Sequence, residues 1–170
     1  MPEKKSWLSF FKKHKDDTDI FCLQEIWSAP YSHLEKYKAG GKKIAHSEIM
    51  VHGLQEISEL LSDFTPYFRP HYGDNYGLLM LVGKNIKVKG EDEIFVYKHK
   101  SYMPEGDIGK HAPNIQFIRT EFNGLLLTVI NFHGLWNGQG KGDSQDRLSQ
   151  SKKIKEFIET LQGNSDVRRF

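Results

Sequence analysis

The sequence has only one cysteine, Cys22, and it lacks both a long hydrophobic run and an excess of charge of one sign. A single cysteine excludes an intrachain disulfide, and its place in an apolar stretch favours a packing role over a reactive thiol. No segment approaches the roughly 18 apolar residues of a membrane-spanning helix. The first residues show no apolar segment typical of a secretion signal, so we expect a cytoplasmic protein.

The charges are nearly balanced, since the sequence has 24 Lys and Arg residues and 22 Asp and Glu residues. This balance disfavours a protein that coats nucleic acid through a strongly basic surface. Aromatic residues, in contrast, make up 12% of the 170 residues. A chain of this length with that supply of large apolar side chains can build one domain with a hydrophobic core.

The most informative stretch is Asp19-Ile20-Phe21-Cys22-Leu23-Gln24-Glu25. Its four consecutive apolar residues predict a strand that is buried on both faces. Gln24 and Glu25 follow without a turn, so a carboxylate would stand at the rim of a sheet, where α/β folds usually build their sites. The alternative is a solvated glutamate that only ends a strand, and this stretch alone leaves both interpretations open.

Helical and extended patterns then follow one another along the chain. A helix is expected at 7–14, where the lysines favour a solvated face over a membrane-surface helix, and a second one within 49–64, ended by Pro66. Residues 31–41 are expected to form a loop or a short helix. Strands are expected at 78–82, 86–89 and 94–98, with 86–89 pairing with the strand before it, and a long loop at 101–113.

Asn123-Gly124 separates two β-rich runs, 115–122 and 125–132. The pair predicts a two-residue hairpin, because both central residues of a type I′ turn need a positive φ. The second run ends at Asn131-Phe132-His133, so a buried strand again delivers polar side chains at its end. The glycine-rich stretch that follows matches no phosphate-binding loop and is interpreted as a plain linker.

A last helix is expected to begin after a cap at Asp143 or Ser144. The side chains of this helix that are expected to face the core are those of Leu148, Ile154, Phe157, Ile158 and Leu161. Arg147 and Gln150 share the face of Ile154 and should therefore point toward the sheet near the end of the hairpin.

The order of the elements predicts an α+β fold, a layered α/β sandwich with mixed or antiparallel sheets flanked by helices. One domain is expected over 1–162, followed by a frayed tail at 163–170. The two strand ends that carry Glu25 and Asn131-x-His133 could meet at one rim. A glutamate suits a hard divalent cation, and a histidine can stabilise an oxyanion that develops at phosphorus.

Four stretches resemble, in order, motifs of the endonuclease/exonuclease/phosphatase superfamily, the deoxyribonuclease I-like metal-dependent phosphoesterases. The stretch 19–25 resembles the family's LQE strand, and Tyr76-Gly77-Leu78-Leu79-Met80-Leu81 resembles its glycine-led strand. Asn131-Phe132-His133 resembles its N-x-H strand end, and Arg147 with Gln150 resembles its R-x-x-Q helix. The resemblance extends over roughly 7–161.

The resemblance implies a deoxyribonuclease I-like fold and the hydrolysis of a phosphate ester by metal-activated water. The ester would belong to a nucleic acid, a nucleotide or a small phosphodiester. Glu25 would ligate Mg²⁺ or Mn²⁺, and His133 and Asn131 would be catalytic. Supporting roles at the rim would fall to Arg147, Gln150 and Gln24.

The sequence also departs from the family pattern. The family's opening strand, its GDFN strand and its final Asp-His have no counterpart, and Gly163-Asn164-Ser165-Asp166 only stands near the place of GDFN. We therefore expect an incomplete fold with open sheet edges and slow catalysis. The alternative function is a non-catalytic remnant or interaction module, which pairs with a complementing chain or forms a homo-oligomer through those edges.

Overall fold

The computed structural model describes residues 2–28, 50–100, 102, 111–135 and 142–163. In chain order the elements are α1 (Pro2–His14), β1 (Ile20–Trp27), α2 (Gly53–Leu60), β2 (Phe64–Tyr72), β3 (Tyr76–Gly83), β4 (Val88–Phe95), β5 (Asn114–Phe122), β6 (Leu125–Phe132) and α3 (Gln145–Gly163). The strands form two antiparallel three-stranded sheets, a first sheet ordered β1-β3-β2 and a second ordered β4-β5-β6. The predicted α+β sandwich flanked by helices is thus confirmed.

The core is divided by β3, the central strand of the first sheet, which is buried along nearly its whole length. Leu79 and Leu81 pack toward the helices against Phe11 of α1 and Ile57 of α2. On the opposite face Met80 and Val82 pack against Ile118 of the second sheet. A third cluster joins the outer face of the second sheet to α3, through Val96, Ile115, Phe117, Ile154 and Phe157. The layers are therefore helices, sheet, sheet and helix.

β1 is an edge strand, because among the described residues it pairs only with β3. Phe21 is buried and packs edge-on against Phe11 of α1, whereas Cys22 on the other face is exposed. The predictions of a strand buried on both faces and of a packed thiol are therefore wrong. An apolar run does not reveal whether another layer covers both faces of its strand. Cys22 lies beside Met80 on the face toward the second sheet, and at this edge of the sandwich it is left exposed.

The predicted helix at 49–64 is too long at its C-terminal end. α2 ends at Leu60, and Phe64 opens β2 while still packing into the same cluster as Ile57. Pro66 does not end a helix but lies within β2, an edge strand in which a missing N–H costs no ladder bond.

The runs 86–89 and 94–98 also differ from the prediction. Residues of both runs belong to one strand, β4, which pairs with β5 of the second sheet and not with β3. The chain crosses between the sheets after Gly83, where Ile86 N–H donates to the Gly83 carbonyl in a tight turn. A turn signal fixes a change of direction but not the sheet in which the next strand pairs.

The hairpin turn and the start of the last helix lie where the sequence predicts them. Asn123 and Gly124 have φ of 51° and 78°, and Phe122 lies opposite Leu125. α3 begins after Ser144, whose Oγ accepts the N–H of Arg147 at 3.3 Å. Two of its residues expected inside, Leu148 and Ile158, are exposed.

Parts of the predicted pattern lie outside the described residues. These are the loop or helix at 31–41, most of the loop at 101–113, much of the glycine-rich linker and the tail from residue 164. Among the helices that the structure does describe, none has the length and apolar character needed to cross a membrane.

Candidate functional site

Glu25 and His133 meet at one end of the sandwich. Glu25 lies in β1 of the first sheet, and His133 directly follows β6 of the second sheet. The Oε1 atom of Glu25 is 3.4 Å from the Nε2 atom of His133. The Glu25 side chain is 60% exposed and that of His133 is 28% exposed. The pair therefore offers a carboxylate that solvent or a ligand can reach, beside a largely covered imidazole.

The backbone at Glu25 departs from regular strand geometry. Its φ is 59°, and the register of β1 against β3 shifts between Leu23 and Ile26. Such bulges re-aim a side chain, and positive φ at a residue other than glycine costs roughly 1 kcal/mol or more. Strain of this kind concentrates at functional sites. Next to it, Gln24 Nε2 donates to the Phe132 carbonyl at 3.0 Å, which ties β1 to the end of β6.

Asn131 lies inside the sandwich and is 2% exposed. Its Nδ2 group lies 2.9 Å from the carbonyl of Leu23, 3.4 Å from that of Leu79, and 3.3 Å from Oε1 of Gln116. Asn131 thus joins β6 to two strands of the first sheet, two residues before His133. Its Oδ1 is buried and has no hydrogen-bond partner among the described groups. Asn131 therefore positions the end of β6 against the first sheet, and its Oδ1 atom remains an acceptor without a partner among the described groups.

Gln150 and Arg147, which the sequence predicts to point toward the sheet, behave differently from each other. Gln150 is buried, and its Oε1 accepts the N–H of Leu135 at 3.1 Å, so α3 holds the segment that follows His133. Arg147 instead donates from Nη1 to the Gly142 carbonyl at 2.8 Å, in the connection before its own helix. Of the two side chains, Gln150 is the one that bonds to the strand-end segment.

A second group of polar residues, which the sequence did not indicate, bridges the sheets nearby. Nδ1 of buried His71 in β2 lies 2.8 Å from Oδ1 of Asn114 in β5. Nδ2 of Asn114 donates to Glu93 Oε2 at 2.6 Å and to the Arg69 carbonyl at 3.4 Å. Because the amide nitrogen is used in this way, Oδ1 must be the acceptor, and Nδ1 of His71 carries the proton.

His71 forms part of a ring cluster with His111 and Tyr76. The His71 and His111 rings stack with centroids 4.4 Å apart, and Tyr76 meets them edge-on at 5.5 and 5.8 Å. Burial lowers the pKa of His71 to about 4; repulsion by His111 and His133 adds to this, and the Asn114 hydrogen bond opposes it. His71 is therefore a neutral imidazole at pH 7.

Tyr76 connects this ring cluster electrostatically to the Glu25–His133 pair. Burial raises the pKa of the Tyr76 phenol, and the negative charge of Glu25 raises it further. Its O–H group stays protonated at neutral pH. Periodicity could not reveal the cluster, because His71 and His111 come from separate parts of the chain and carry no local motif.

A metal ion would find few ligands among the described residues. No group of three or more His, Cys, Asp and Glu side chains there is arranged to hold one. Glu25 alone offers an exposed carboxylate at the paired strand ends. One carboxylate is compatible with Mg²⁺, which keeps several waters and takes its remaining ligands from a bound phosphate.

The fold is similar to that of several solved structures. Truncated TDP2 from Caenorhabditis elegans matches with a TM-score of 0.56 and 17% identity over 95% of this chain and 49% of that one. The mannosyl-6-phosphatase of Bacteroides thetaiotaomicron matches with a TM-score of 0.64 and 12% identity, over 95% and 52%. An endonuclease/exonuclease/phosphatase family protein from Bacteroides vulgatus matches with a TM-score of 0.59 and 12% identity, over 94% and 52%.

The sequence itself matches no protein-family model and no curated protein. The chain spans about half the length of the three structures above. Identities this low establish the fold and not the activity. The described chain has the endonuclease/exonuclease/phosphatase fold, and it covers about half of that fold as the similar structures contain it.

Proposed function

We propose that this chain hydrolyses phosphate esters, either diesters or monoesters, at the Glu25–His133 pair with the help of a divalent cation. The observation that carries the proposal is the exposed Glu25 carboxylate 3.4 Å from His133, at a strained bulge where the two sheets meet. The fold agrees, since its similar structures include a mannosyl-6-phosphatase and ANGEL2, a 2′,3′-cyclic phosphatase. The substrate would be a nucleic acid, a nucleotide or a small phosphate ester.

Glu25 would hold Mg²⁺ or Mn²⁺ as its one carboxylate ligand. The bound ion supplies an activated water and neutralises charge on the phosphate. His133 would donate a hydrogen bond to a phosphoryl oxygen and so stabilise the charge that develops there. His133 Nε2 lies 3.4 Å from Glu25 Oε1, so the imidazole would stand beside the residue that would hold the cation, and both residues could act on the same phosphate group.

The remaining predicted residues would position His133. Asn131 anchors the end of β6 to the first sheet, and Gln24 bonds to the Phe132 carbonyl between them. Gln150 holds the N–H of Leu135 on the other side of His133. The imidazole is thus fixed from both directions along the chain, and orientation of this kind supplies a large part of an enzyme's rate. Arg147 would support this end of the sandwich through its hydrogen bond to the Gly142 carbonyl, in the connection before α3.

We infer a cytoplasmic location, as expected from the sequence.

A second candidate function is pairing with another chain, either a second copy or a complementing polypeptide, through an open sheet edge. The observation that favours it is the exposure of four large apolar residues on β6, namely Leu125, Leu126, Leu127 and Ile130. Monomeric proteins rarely leave such a strand uncovered. This function does not require catalysis, and the two candidates are compatible.

The test of hydrolysis is an assay with chromogenic phosphodiester and phosphomonoester substrates, each with Mg²⁺, Mn²⁺ or chelator. We expect metal-dependent turnover of at least one substrate, lowered about 100-fold or more by His133→Gln. The matched control is His99→Gln, which changes an exposed histidine in the segment after β4. Equal rates for the two variants, in protein shown to be folded, would refute the role of His133.

A further inference from the structure

Asn114 and His133 are neighbours on the inner face of the second sheet. The β5–β6 ladder ends with Ile115 opposite Phe132, which places Asn114 opposite His133 one residue further on. Directly opposite residues of an antiparallel pair have their Cβ atoms about 5 Å apart. Both side chains turn toward the first sheet, where Asn114 contacts His71 of β2 and His133 contacts the glutamate of β1. His71 and His133 therefore approach the same part of the layer between the sheets.

A chain of hydrogen bonds fixes the orientation of the His71 ring. Nδ2 of Asn114 donates to Oε2 of Glu93 at 2.6 Å, and Oδ1 of Asn114 accepts the proton on Nδ1 of His71 at 2.8 Å. The His71 ring also stacks on that of His111, with centroids 4.4 Å apart. His71 is buried and neutral at pH 7. Its Nε2 atom is therefore a lone-pair acceptor that is held in one direction.

Two ring nitrogens in this layer are buried without a partner. Neither Nε2 of His71 nor Nδ1 of His133 has a hydrogen-bond partner among the described groups. Burial is the main cause of the lowered pKa of His71, but repulsion by His133 contributes as well, so the two rings are near each other. Nε2 of His133 lies 3.4 Å from a carboxylate oxygen of Glu25, which can only accept, so the neutral His133 ring carries its proton on Nε2. Its Nδ1 atom is then an acceptor, as Nε2 of His71 is.

We propose that one buried water joins Nε2 of His71 to Nδ1 of His133 and donates one hydrogen bond to each ring. Two acceptors cannot bond to each other, but a molecule with two O–H donors can bond to both, and water is the smallest such molecule. Buried waters typically make about three hydrogen bonds to polar groups that have no other partner. Leaving a buried acceptor without a donor is costly, so the folded protein gains from the water.

The water makes His71 a positioning residue of the candidate site. A water that donates to Nδ1 keeps the proton of neutral His133 on Nε2, the atom from which His133 would donate to a phosphoryl oxygen. It also holds the ring at its second nitrogen. Partners that fix the tautomer of a metal-bound histidine typically change activity about 10- to 100-fold, and His71 would act on His133 in the same way. This effect on the rate rests on the proposed hydrolysis, whereas the water site does not.

The experiment is ¹⁵N NMR of the histidine rings at about pH 8.5, well above the usual histidine pKa of about 6.5. In the wild type we expect the proton of His71 on Nδ1 and that of His133 on Nε2. In His71→Phe, which keeps an aromatic ring against His111, the His133 Nδ1 resonance should shift downfield because this nitrogen loses its donor. Thr120→Val is the matched control and should leave the resonance unchanged, since it removes another buried hydrogen bond of β5, from Oγ1 to the Lys87 carbonyl.

Kinetics measure the positioning role. His71→Phe should lower kcat about 10-fold or more with little change in KM, whereas Thr120→Val should change neither. A proton on Nδ1 of wild-type His133 would overturn the water site, and this measurement needs no variant that might unfold. An unchanged Nδ1 resonance in folded His71→Phe would overturn it as well. A wild-type chain with the expected resonances but without turnover would refute the proposed hydrolysis and support the water site.

Discussion

Oε1 of Glu25 and Nε2 of His133 are 3.4 Å apart, although the two residues belong to strand ends of different sheets. The pair consequently forms only where the two sheets are held face to face. At that end of the sandwich, polar side chains hold the two sheets together. Each of them, namely Gln24, Asn131 and Asn114, hydrogen-bonds to the other sheet. The geometry of the candidate site and the stability of the sandwich interior are therefore linked.

Replacing Asn131 tests this link. Asn131→Ala would remove the buried Nδ2 group that bonds to the carbonyls of Leu23 and Leu79 and to Oε1 of Gln116, so we expect it to lower the free energy of unfolding by roughly 2 kcal/mol or more. The measurement is urea unfolding followed by fluorescence. His99→Gln, which changes an exposed histidine, is the comparison and should change stability by less than about 0.5 kcal/mol. Equal stabilities of the two variants would contradict the bridging role of Asn131.

Gly77 permits the close approach of β2 and β3 beside the site. A Cβ atom at this position would lie 2.2 Å from the Arg69 carbonyl oxygen and 2.5 Å from Pro70 Cα, and backbone atoms cannot yield as a side chain does. Gly77→Ala should therefore destabilise the protein by about 2 kcal/mol or more. Gly90→Ala in β4 is the control, because no atom lies within 4 Å of its Cβ position. A loss of similar size in both variants, measured by thermal unfolding, would be evidence against the close contact.

The buried His71 predicts a specific dependence of stability on pH. Its pKa is lowered from 6.5 to about 4 in the folded protein, so between those values the unfolded chain binds more protons. Stability contributed by this group is present above pH 6.5 and is lost as the pH falls toward 4, by up to about 3 kcal/mol. His71→Gln should remove that part of the loss in unfolding free energy between pH 7 and pH 4.5. An unchanged pH profile in the variant would mean that His71 is not buried as a neutral imidazole.

The sequence predicted the elements that local signals control. The hairpin at Asn123-Gly124 follows from the need for positive φ at both turn residues, and the start of α3 follows from the cap at Ser144. β3 was recognisable because a strand buried on both faces is apolar throughout. In each case the signal and the structure lie within a few residues of each other.

The parts that the sequence did not predict depend on distant partners. Cys22 looks buried within its apolar run, but its exposure is decided by whether the second sheet covers that face of β1, which carries Cys22 beside Met80. β4 was assigned to the wrong neighbour, since pairing with β5 depends on how the two sheets stack. His71 and Asn114 acquire their roles only when β2 and β5 face each other. The pattern of polar strand ends indicated that Glu25 and His133 could meet at one rim, and the motif resemblance supplied the roles expected of them.

The most direct test of the central claim is the initial rate of phosphodiester hydrolysis by the purified chain with saturating Mn²⁺, measured beside Glu25→Gln. We expect the substitution to reduce the rate to that of the wild-type protein in chelator. Glu159→Gln, which changes an exposed glutamate of α3, should leave it unchanged. Metal-dependent turnover that survives Glu25→Gln, or no turnover by the folded wild-type chain on any phosphate ester, would contradict hydrolysis at the Glu25–His133 pair.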